Sequence, residues 1–144
     1  MTLDDIFDSW AQDAKIDRVE LGHAALDIPK LHHKYYKMMS NERLRLRQLE
    51  SDQAILMQNK RSWVLNELTS EELKTLGWGP HLKKLLKSEI DEYLKADQDC
   101  IKHTLKMAMQ KEKIEALDSI IKTIINRSFQ ISNAISWEKF KVGM

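Results

Sequence analysis

Glycine, proline and cysteine are scarce in this sequence. Its 144 residues include only four glycines, two prolines and one cysteine. Turn-rich β proteins depend on glycine and proline, so this composition argues against that class. The single cysteine, Cys100, excludes an internal disulfide framework and is typical of a reducing cytoplasm.

Long apolar runs are also missing. No stretch approaches the roughly 20 apolar residues that a membrane-spanning helix needs. The opening segment Met1–Ile6 has neither the basic nor the apolar region of a secretory signal peptide. We therefore expect a protein that neither enters nor crosses a membrane.

The sequence motifs that mark common enzymes are absent as well. There is no P-loop, no glycine-rich dinucleotide fingerprint, no Gly-x-Ser-x-Gly elbow and no His-Glu-x-x-His zinc motif. Adjacent His32 and His33 point to different faces of a helix, so they cannot bind one metal ion together. Asp97 and Asp99 diverge in the same way and form no acid–base pair. The sequence predicts a protein that is not an enzyme and binds no metal or other cofactor.

Helix-forming residues are abundant, with leucine, lysine, glutamate, alanine and glutamine prominent. Hydrophobic spacing predicts a short amphipathic helix over residues 3–14 and a long helical region over residues 17–66. Pro29 predicts a kink or a helix start inside the long region. The apolar side of this region follows a helical repeat through Leu21, Ala25, Ile28, His32, Tyr35, Met39, Leu46, Leu49, Gln53, Leu56, Lys60 and Trp63.

One clear break divides the helical pattern. Thr69 and Glu72 have the spacing of a capping box, which predicts a helix over residues 70–76. Gly77–Pro80 then predicts a helix end and a turn. A second long helical region is expected from residue 81 to about 127; an interruption within it and a continuation to Phe140 are the two alternatives. We predict an all-α fold, a single helical domain with an N-terminal arm (residues 1–77) and a C-terminal arm (residues 81–144) that form a helical hairpin.

The C-terminal arm contains a heptad pattern typical of coiled coils. Its seam consists of Ile114, Leu117, Ile121, Ile124, Ser128, Ile131 and Ile135. A two-arm hairpin has little interior, so apolar surface of this extent favours partner helices. We predict self-association through the apolar seam residues. The alternative is that the seam packs only against the first arm of the same chain.

Charge is unevenly distributed although the net charge is only +1. Residues 1–29 contain two basic and seven acidic side chains, a balance of −5. Residues 30–66 contain eight basic and three acidic side chains, a balance of +5. A basic block beside an acidic one indicates either a polyanion site or self-association between opposite charges.

The basic block contains a pattern suited to single-stranded nucleic acid. Such ligands need cations to contact phosphates and aromatic faces on which bases stack. Candidate contacts, interleaved with Tyr35 and Tyr36, are Lys34, Lys37, Arg43, Arg45, Arg47, Lys60, Arg61 and Trp63. Two plainer interpretations stay open: the cations form a solvated helix face, and Tyr35 and Trp63 belong to the core.

The order and spacing of several blocks resemble the UvsY family of T4-like phages. These blocks are Leu3–Ile6, Leu76–Trp78, Lys87–Ile90 and Tyr93–Asp99. The C-terminal residues with the family's spacing are Arg127, Phe129, Ile131, Ile135, Phe140 and Gly143. The resemblance covers nearly the whole chain.

This resemblance implies a recombination mediator that acts in the cytoplasm of the infected bacterial host. Members of the family form ring-like homo-oligomers, so a hexamer or heptamer is implied. They bind single-stranded DNA, weaken the hold of the phage single-strand-binding protein and help to load the phage recombinase. A scaffold or adaptor that binds only proteins is the alternative, with the basic block facing the acidic segment of a neighbour.

The family's DNA-binding segment aligns with Gln58–Trp63. It has a Lys-x-Arg pair followed by aromatic residues, and Lys60 matches it best. The sequence departs from the pattern at Gln58 and in having a single Trp63 where tyrosines are expected. The resemblance implies only a structural role for Asp97 and Asp99, a polar contact in the helical assembly.

Overall fold

A computed structural model describes residues 1–143 as a helical protein. In that range there are six α-helices, one 3₁₀ helix (Lys87–Glu89) and no strand. The α-helices are α1 (Leu3–Asp13), α2 (Leu21–Leu26), α3 (Ile28–Val64), α4 (Ser70–Leu76), α5 (Ile90–Leu94) and α6 (Gln98–Lys141). The predicted all-α fold is confirmed. None of these helices combines the length and apolar composition that a transmembrane span requires.

Side-chain caps set several helix ends where the sequence predicts them. Thr69 accepts a hydrogen bond from the Glu72 amide, and the Glu72 carboxylate accepts one from the Thr69 amide, which starts α4. Gly77 ends α4 in the left-handed region at a φ of 73°, which favours glycine. Helix α3 begins one residue before Pro29, where a missing amide hydrogen costs little.

The predicted helix from residue 81 does not form as one piece. Residues 79–86 are irregular, and α6 begins only at Gln98. A packing contact with distant residues and a local helix cap explain the difference. The His81 ring packs between Trp63 and Tyr93, with ring centres 4.8 and 5.4 Å away. Asp97 accepts a hydrogen bond from the Cys100 amide at 3.1 Å and so caps a new helix.

The chain divides into two compact units, each built from parts of both predicted arms. Unit 1 comprises residues 1–45 and the residues from 110 onward, and unit 2 comprises residues 46–109. In unit 2, α3 and α6 run antiparallel, because Leu49 contacts His103 while Met57, further along α3, contacts Cys100. Ring-like assembly, the other part of the fold prediction, involves several chains and stays a prediction.

The core of unit 1 joins three helices. Its buried members are Ile6, Tyr35, Met39, Leu117, Ile120, Ile121 and Ile124. Arg127 is buried here as well and donates to the carbonyls of Asp13 and Ala14, both at 2.9 Å. These bonds satisfy carbonyl groups that the end of α1 leaves free. The N-terminal helix is thereby fixed to α3 and α6.

The core of unit 2 is smaller and contains more aromatic residues. Its buried members are Val64, Ile90, Leu94 and Cys100. Trp63 and Tyr93, both partly buried, pack against this group. Burial raises the pKa of Cys100 to about 11, so its thiol stays neutral at physiological pH. Cys100 is a packing residue within the core.

Candidate nucleic-acid interface

The last turns of α3 place Lys60, Arg61 and Trp63 in unit 2 with very different surroundings. Lys60 is only 2% exposed. Its ammonium group donates to Asp97 at 3.2 Å and to Asp99 at 2.8 Å. The two carboxylates lie at the start of α6, so Lys60 fastens the end of one long helix to the beginning of the other.

Aromatic rings complete the enclosure of this ammonium group. Lys60 Nζ lies 4.0 Å from the ring centre of Trp78 and 4.5 Å from that of Trp63. Such cation–π contacts are worth more when the cation is desolvated. The Trp63 indole N–H donates to the Gly79 carbonyl at 2.7 Å, which fixes the ring and the segment after α4. Lys60 thus holds both tryptophans against the start of α6.

This enclosure favours a role for Lys60 that differs from the predicted phosphate contact. A phosphate can reach the ammonium group only after Asp97, Asp99 and both indoles release it. In the present fold Lys60 is a positioning residue for Trp63 and Trp78. The signal for burial is in the sequence, since Lys60 falls on the apolar repeat of α3, but the acidic partners lie 37 and 39 residues away.

Arg61 has the accessibility that Lys60 lacks. Its side chain is 54% exposed and pairs at 3.1 Å with Asp91, which is 76% exposed. An ion pair this accessible contributes little to stability, about 0–1 kcal/mol. A phosphate can therefore replace Asp91 at low cost.

The other predicted cations fall into two groups. Lys34 pairs with Asp13, and Arg45 pairs with the buried carboxylate of Glu42 at 3.7 Å. Lys37, Arg43 and Arg47 are exposed and have no ion-pair partner in the part of the chain that the structure describes. Of the whole set, Lys34, Lys37, Arg43 and Arg45 lie in unit 1, and Arg47, Lys60, Arg61 and Trp63 lie in unit 2.

The two tyrosines of the basic block differ in their accessibility to solvent. Tyr35 is fully buried and donates to Asp13 at 2.8 Å, so no base can stack on it. Burial, with the Asp13 carboxylate nearby, raises the pKa of Tyr35 to about 12. Tyr36 is 49% exposed and stacks on His32 at a centroid distance of 5.9 Å. Tyr36 remains accessible to a base.

A cleft of about 820 Å³ opens in unit 1. Its acidic lining residues are Asp13, Asp17, Glu20 and Asp27, and its basic ones are Lys15, Lys30, Lys34 and Arg127. Equal numbers of opposite charges produce no field of a single sign, so the cleft is poorly suited to a polyanion. The described residues also contain no cluster of three or more metal-binding side chains.

The predicted seam residues are mostly inside one chain. Leu117, Ile121, Ile124 and Ile131 are at most 6% exposed, and Ile114 packs against the core of unit 1. Ile135 is 36% exposed. A different apolar set on α6 is open to solvent: Ile125, Phe129, Trp137 and Phe140. At 3.6 residues per turn these four fall within about one third of the helix circumference.

Acid should weaken unit 2 through Asp99. The hydrogen bond from Lys60 holds the pKa of Asp99 below its ordinary value of 3.8. A lowered pKa contributes stability above the unfolded value and loses it as the pH falls through the folded one. We expect the free energy of unfolding to drop below about pH 4, and to drop less in Asp99→Asn. Urea unfolding between pH 6 and pH 3, with Asp8→Asn as an exposed control, tests this; equal slopes for both variants contradict it.

Comparison with known proteins gives a consistent result. Residues 9–144 match the family described as "Recombination, repair and ssDNA binding protein UvsY". No curated protein sequence matches.

Crystal structures of the bacteriophage T4 recombination mediator protein UvsY share the fold. The lattice type II structure has a TM-score of 0.83 at 18% identity and covers 99% of this chain and 98% of its own. The lattice type I structure has a TM-score of 0.81 at 18% identity and covers 95% of this chain and 98% of its own. The lattice type IV structure has a TM-score of 0.78 at 16% identity and covers 98% of this chain and 99% of its own. Because the family match spans nearly the whole sequence, this chain belongs to the UvsY family of recombination, repair and single-stranded-DNA-binding proteins.

Proposed function

We propose that this protein is a recombination mediator that binds single-stranded DNA in the infected cell. It weakens the hold of the phage single-strand-binding protein on the strand and helps to load the phage recombinase. Membership of the UvsY family is the observation that carries the proposal. The fold shared with the T4 recombination mediator supports it.

Exposed cations supply the phosphate contacts in this proposal. Arg43, Arg47 and Lys37 are exposed without an ion pair in the described residues, and Arg61 exchanges a weak pair for a phosphate. Lys34 and Arg45 contribute after release from their carboxylates. Lys60 acts indirectly, by fixing the position of the Trp63 ring.

Self-association multiplies this modest set of contacts. We propose a ring-like homo-oligomer in which the exposed stripe of Ile125, Phe129, Trp137 and Phe140 meets another copy. Linked sites raise overall affinity by about 10²–10⁴ without any new type of contact. A chain with few cations per subunit can then compete for a strand that another protein already covers.

A salt-titrated binding experiment tests DNA binding. Wild-type protein and the variant Arg43→Ala/Arg47→Ala/Arg61→Ala are titrated onto a labelled single-stranded oligonucleotide. Each lost phosphate contact should reduce the magnitude of the slope of log K against log salt by about 0.7. The slope of the variant, which lacks three contacts, should therefore be smaller than that of the wild type by about 2. A protein-only adaptor predicts no binding by the wild type, and equal slopes exclude these arginines as contacts.

Mediator activity needs a second measurement. Recombinase assembly is followed on an oligonucleotide already coated with the single-strand-binding protein, with and without this chain. Faster assembly that depends on the chain supports loading. Unchanged assembly by a chain that still binds bare DNA limits the function to DNA binding.

A further inference from the structure

An irregular, basic segment lies between α4 and the 3₁₀ helix. Residues 79–88, the basic loop, contain Lys83, Lys84 and Lys87 and no carboxylate. All three lysines are exposed, and none forms an ion pair among residues 1–143. Lys60, Arg61 and Lys95 of the same unit are paired with carboxylates, whereas this loop concentrates three unpaired lysines in a short segment.

The acidic residues that follow the loop form no ion pair with its lysines in the described part of the chain. Asp91 pairs with Arg61, and Glu92 pairs with Lys95 at 3.3 Å. The Glu89 carboxylate accepts from the Leu86 amide at 3.3 Å, which starts the 3₁₀ helix. With these carboxylates engaged elsewhere, the loop lysines are free to bind an external anion.

The loop is anchored to an aromatic cluster although its lysines are free. Gly79 accepts the bond from the Trp63 indole, and the His81 ring lies 3.1 Å from the Tyr93 hydroxyl oxygen. Trp63, Trp78 and Tyr93 are only partly buried. Lys83 Nζ lies 5.5 Å from the Tyr93 ring centre. Cations and aromatic rings therefore lie close together in a segment that Gly79 and His81 hold in place.

We propose that the basic loop is a contact surface for single-stranded DNA, with Lys83, Lys84 and Lys87 binding phosphates. The partly exposed Trp78 and the exposed Leu82 offer surfaces to the bases. This combination of cations and apolar or aromatic faces is what single strands require. The inference rests on the proposed function and adds a site to it.

Two leucines of the loop are exposed, Leu82 at 90% and Leu86 at 68%. Exposed apolar side chains of this kind are also a feature of surfaces that bind proteins. Charge decides between the two ligands. A ten-residue segment with three lysines and no carboxylate attracts a polyanion, whereas the cores of protein interfaces are depleted in lysine. DNA is therefore the ligand that the loop fits better.

The test compares two variants with the same change in net charge. Lys83→Gln/Lys84→Gln/Lys87→Gln removes the loop cations. Lys102→Gln/Lys106→Gln/Lys111→Gln removes three exposed lysines of α6. Three single-strand phosphate contacts contribute a salt slope of about 2, so the loop variant should bind roughly a hundredfold more weakly at 0.1 M salt. The α6 variant should bind nearly as the wild type does.

Three outcomes overturn the inference in distinguishable ways. If the wild-type protein does not bind DNA, this result contradicts both the proposed function and the loop site. If the wild type binds DNA and the loop variant binds with equal affinity and salt slope, only the loop site is contradicted. Equal loss in both variants shows that only net charge matters. Lys83→Arg/Lys84→Arg/Lys87→Arg keeps the charge and should restore binding, and circular dichroism confirms that each variant is folded.

Discussion

Replacing Lys60 by alanine is expected to lower the free energy of unfolding by about 3–5 kcal/mol. The change leaves Asp97, which is 11% exposed, without its cation, whereas Asp99 is 50% exposed and stays solvated. It also opens a space between Trp63 and Trp78, both of which contact the ammonium group. Removal of one partner from a buried ion pair costs this much because the remaining charge stays poorly solvated.

Urea unfolding and hydrogen exchange of the amides at the start of α6 measure the effect. Arg61→Ala is the matched control, since it removes the neighbouring cation from a solvent-exposed pair. Its cost should stay below about 1 kcal/mol. Equal stability of the Lys60 variant and the wild type contradicts the enclosed geometry.

The same variant separates two roles in DNA binding. If Lys60 only positions the tryptophans, binding should weaken together with the folding of unit 2 and recover under conditions that keep the variant folded. If Lys60 contacts phosphate, a fully folded variant should bind with a salt slope lower by about 0.7. Binding measured over a range of temperatures, with the folded fraction followed by circular dichroism, distinguishes the two.

Local signals in the sequence are sufficient to predict both ends of α4. Thr69 and Glu72 are three residues apart, and Gly77 adopts a conformation that few other residues tolerate, so a short stretch of sequence determines α4. The region 81–97 was beyond such reasoning. Its lysines and leucines are good helix formers, but packing of His81 against Trp63 and Tyr93 holds the chain in another path.

The site shows the same division between local and distant interactions. That cations and aromatic residues occur together at residues 60–63 is visible in the sequence. Which of them solvent reaches depends on Asp97 and Asp99, which only the fold brings to Lys60. The sequence does not single out the basic loop for a related reason, because its pattern predicts a continuous helix from residue 81.

The heptad of the C-terminal arm shows how one pattern can serve two purposes. Leu117, Ile121 and Ile124 have the spacing of a coiled-coil seam, but their partners are Tyr35 and Met39 of the same chain. An apolar seam specifies that a helix packs, and periodicity alone does not specify against which chain. The stripe that is left exposed on α6 is therefore the better candidate for contact between copies.

Substitution of that stripe is expected to prevent the self-association that we propose. In Phe129→Ser/Trp137→Ser/Phe140→Ser, three side chains with exposures of 70%, 58% and 72% become polar. Because they are largely exposed in a single chain, the monomer should keep its fold while an interface between copies loses its aromatic contacts. Affinity for single-stranded DNA should then fall by about 10²–10⁴, the gain that linked sites provide.

Light scattering after size-exclusion chromatography measures the mass, and the oligonucleotide titration measures the affinity. Val19→Ser/Leu26→Ser/Leu44→Ser is the matched control, since these residues are 86%, 80% and 64% exposed elsewhere in unit 1. The control should keep the wild-type mass and affinity. If the stripe variant keeps the wild-type mass, the interface between copies lies on another surface. If the variant is monomeric and its affinity is undiminished, DNA binding does not depend on assembly.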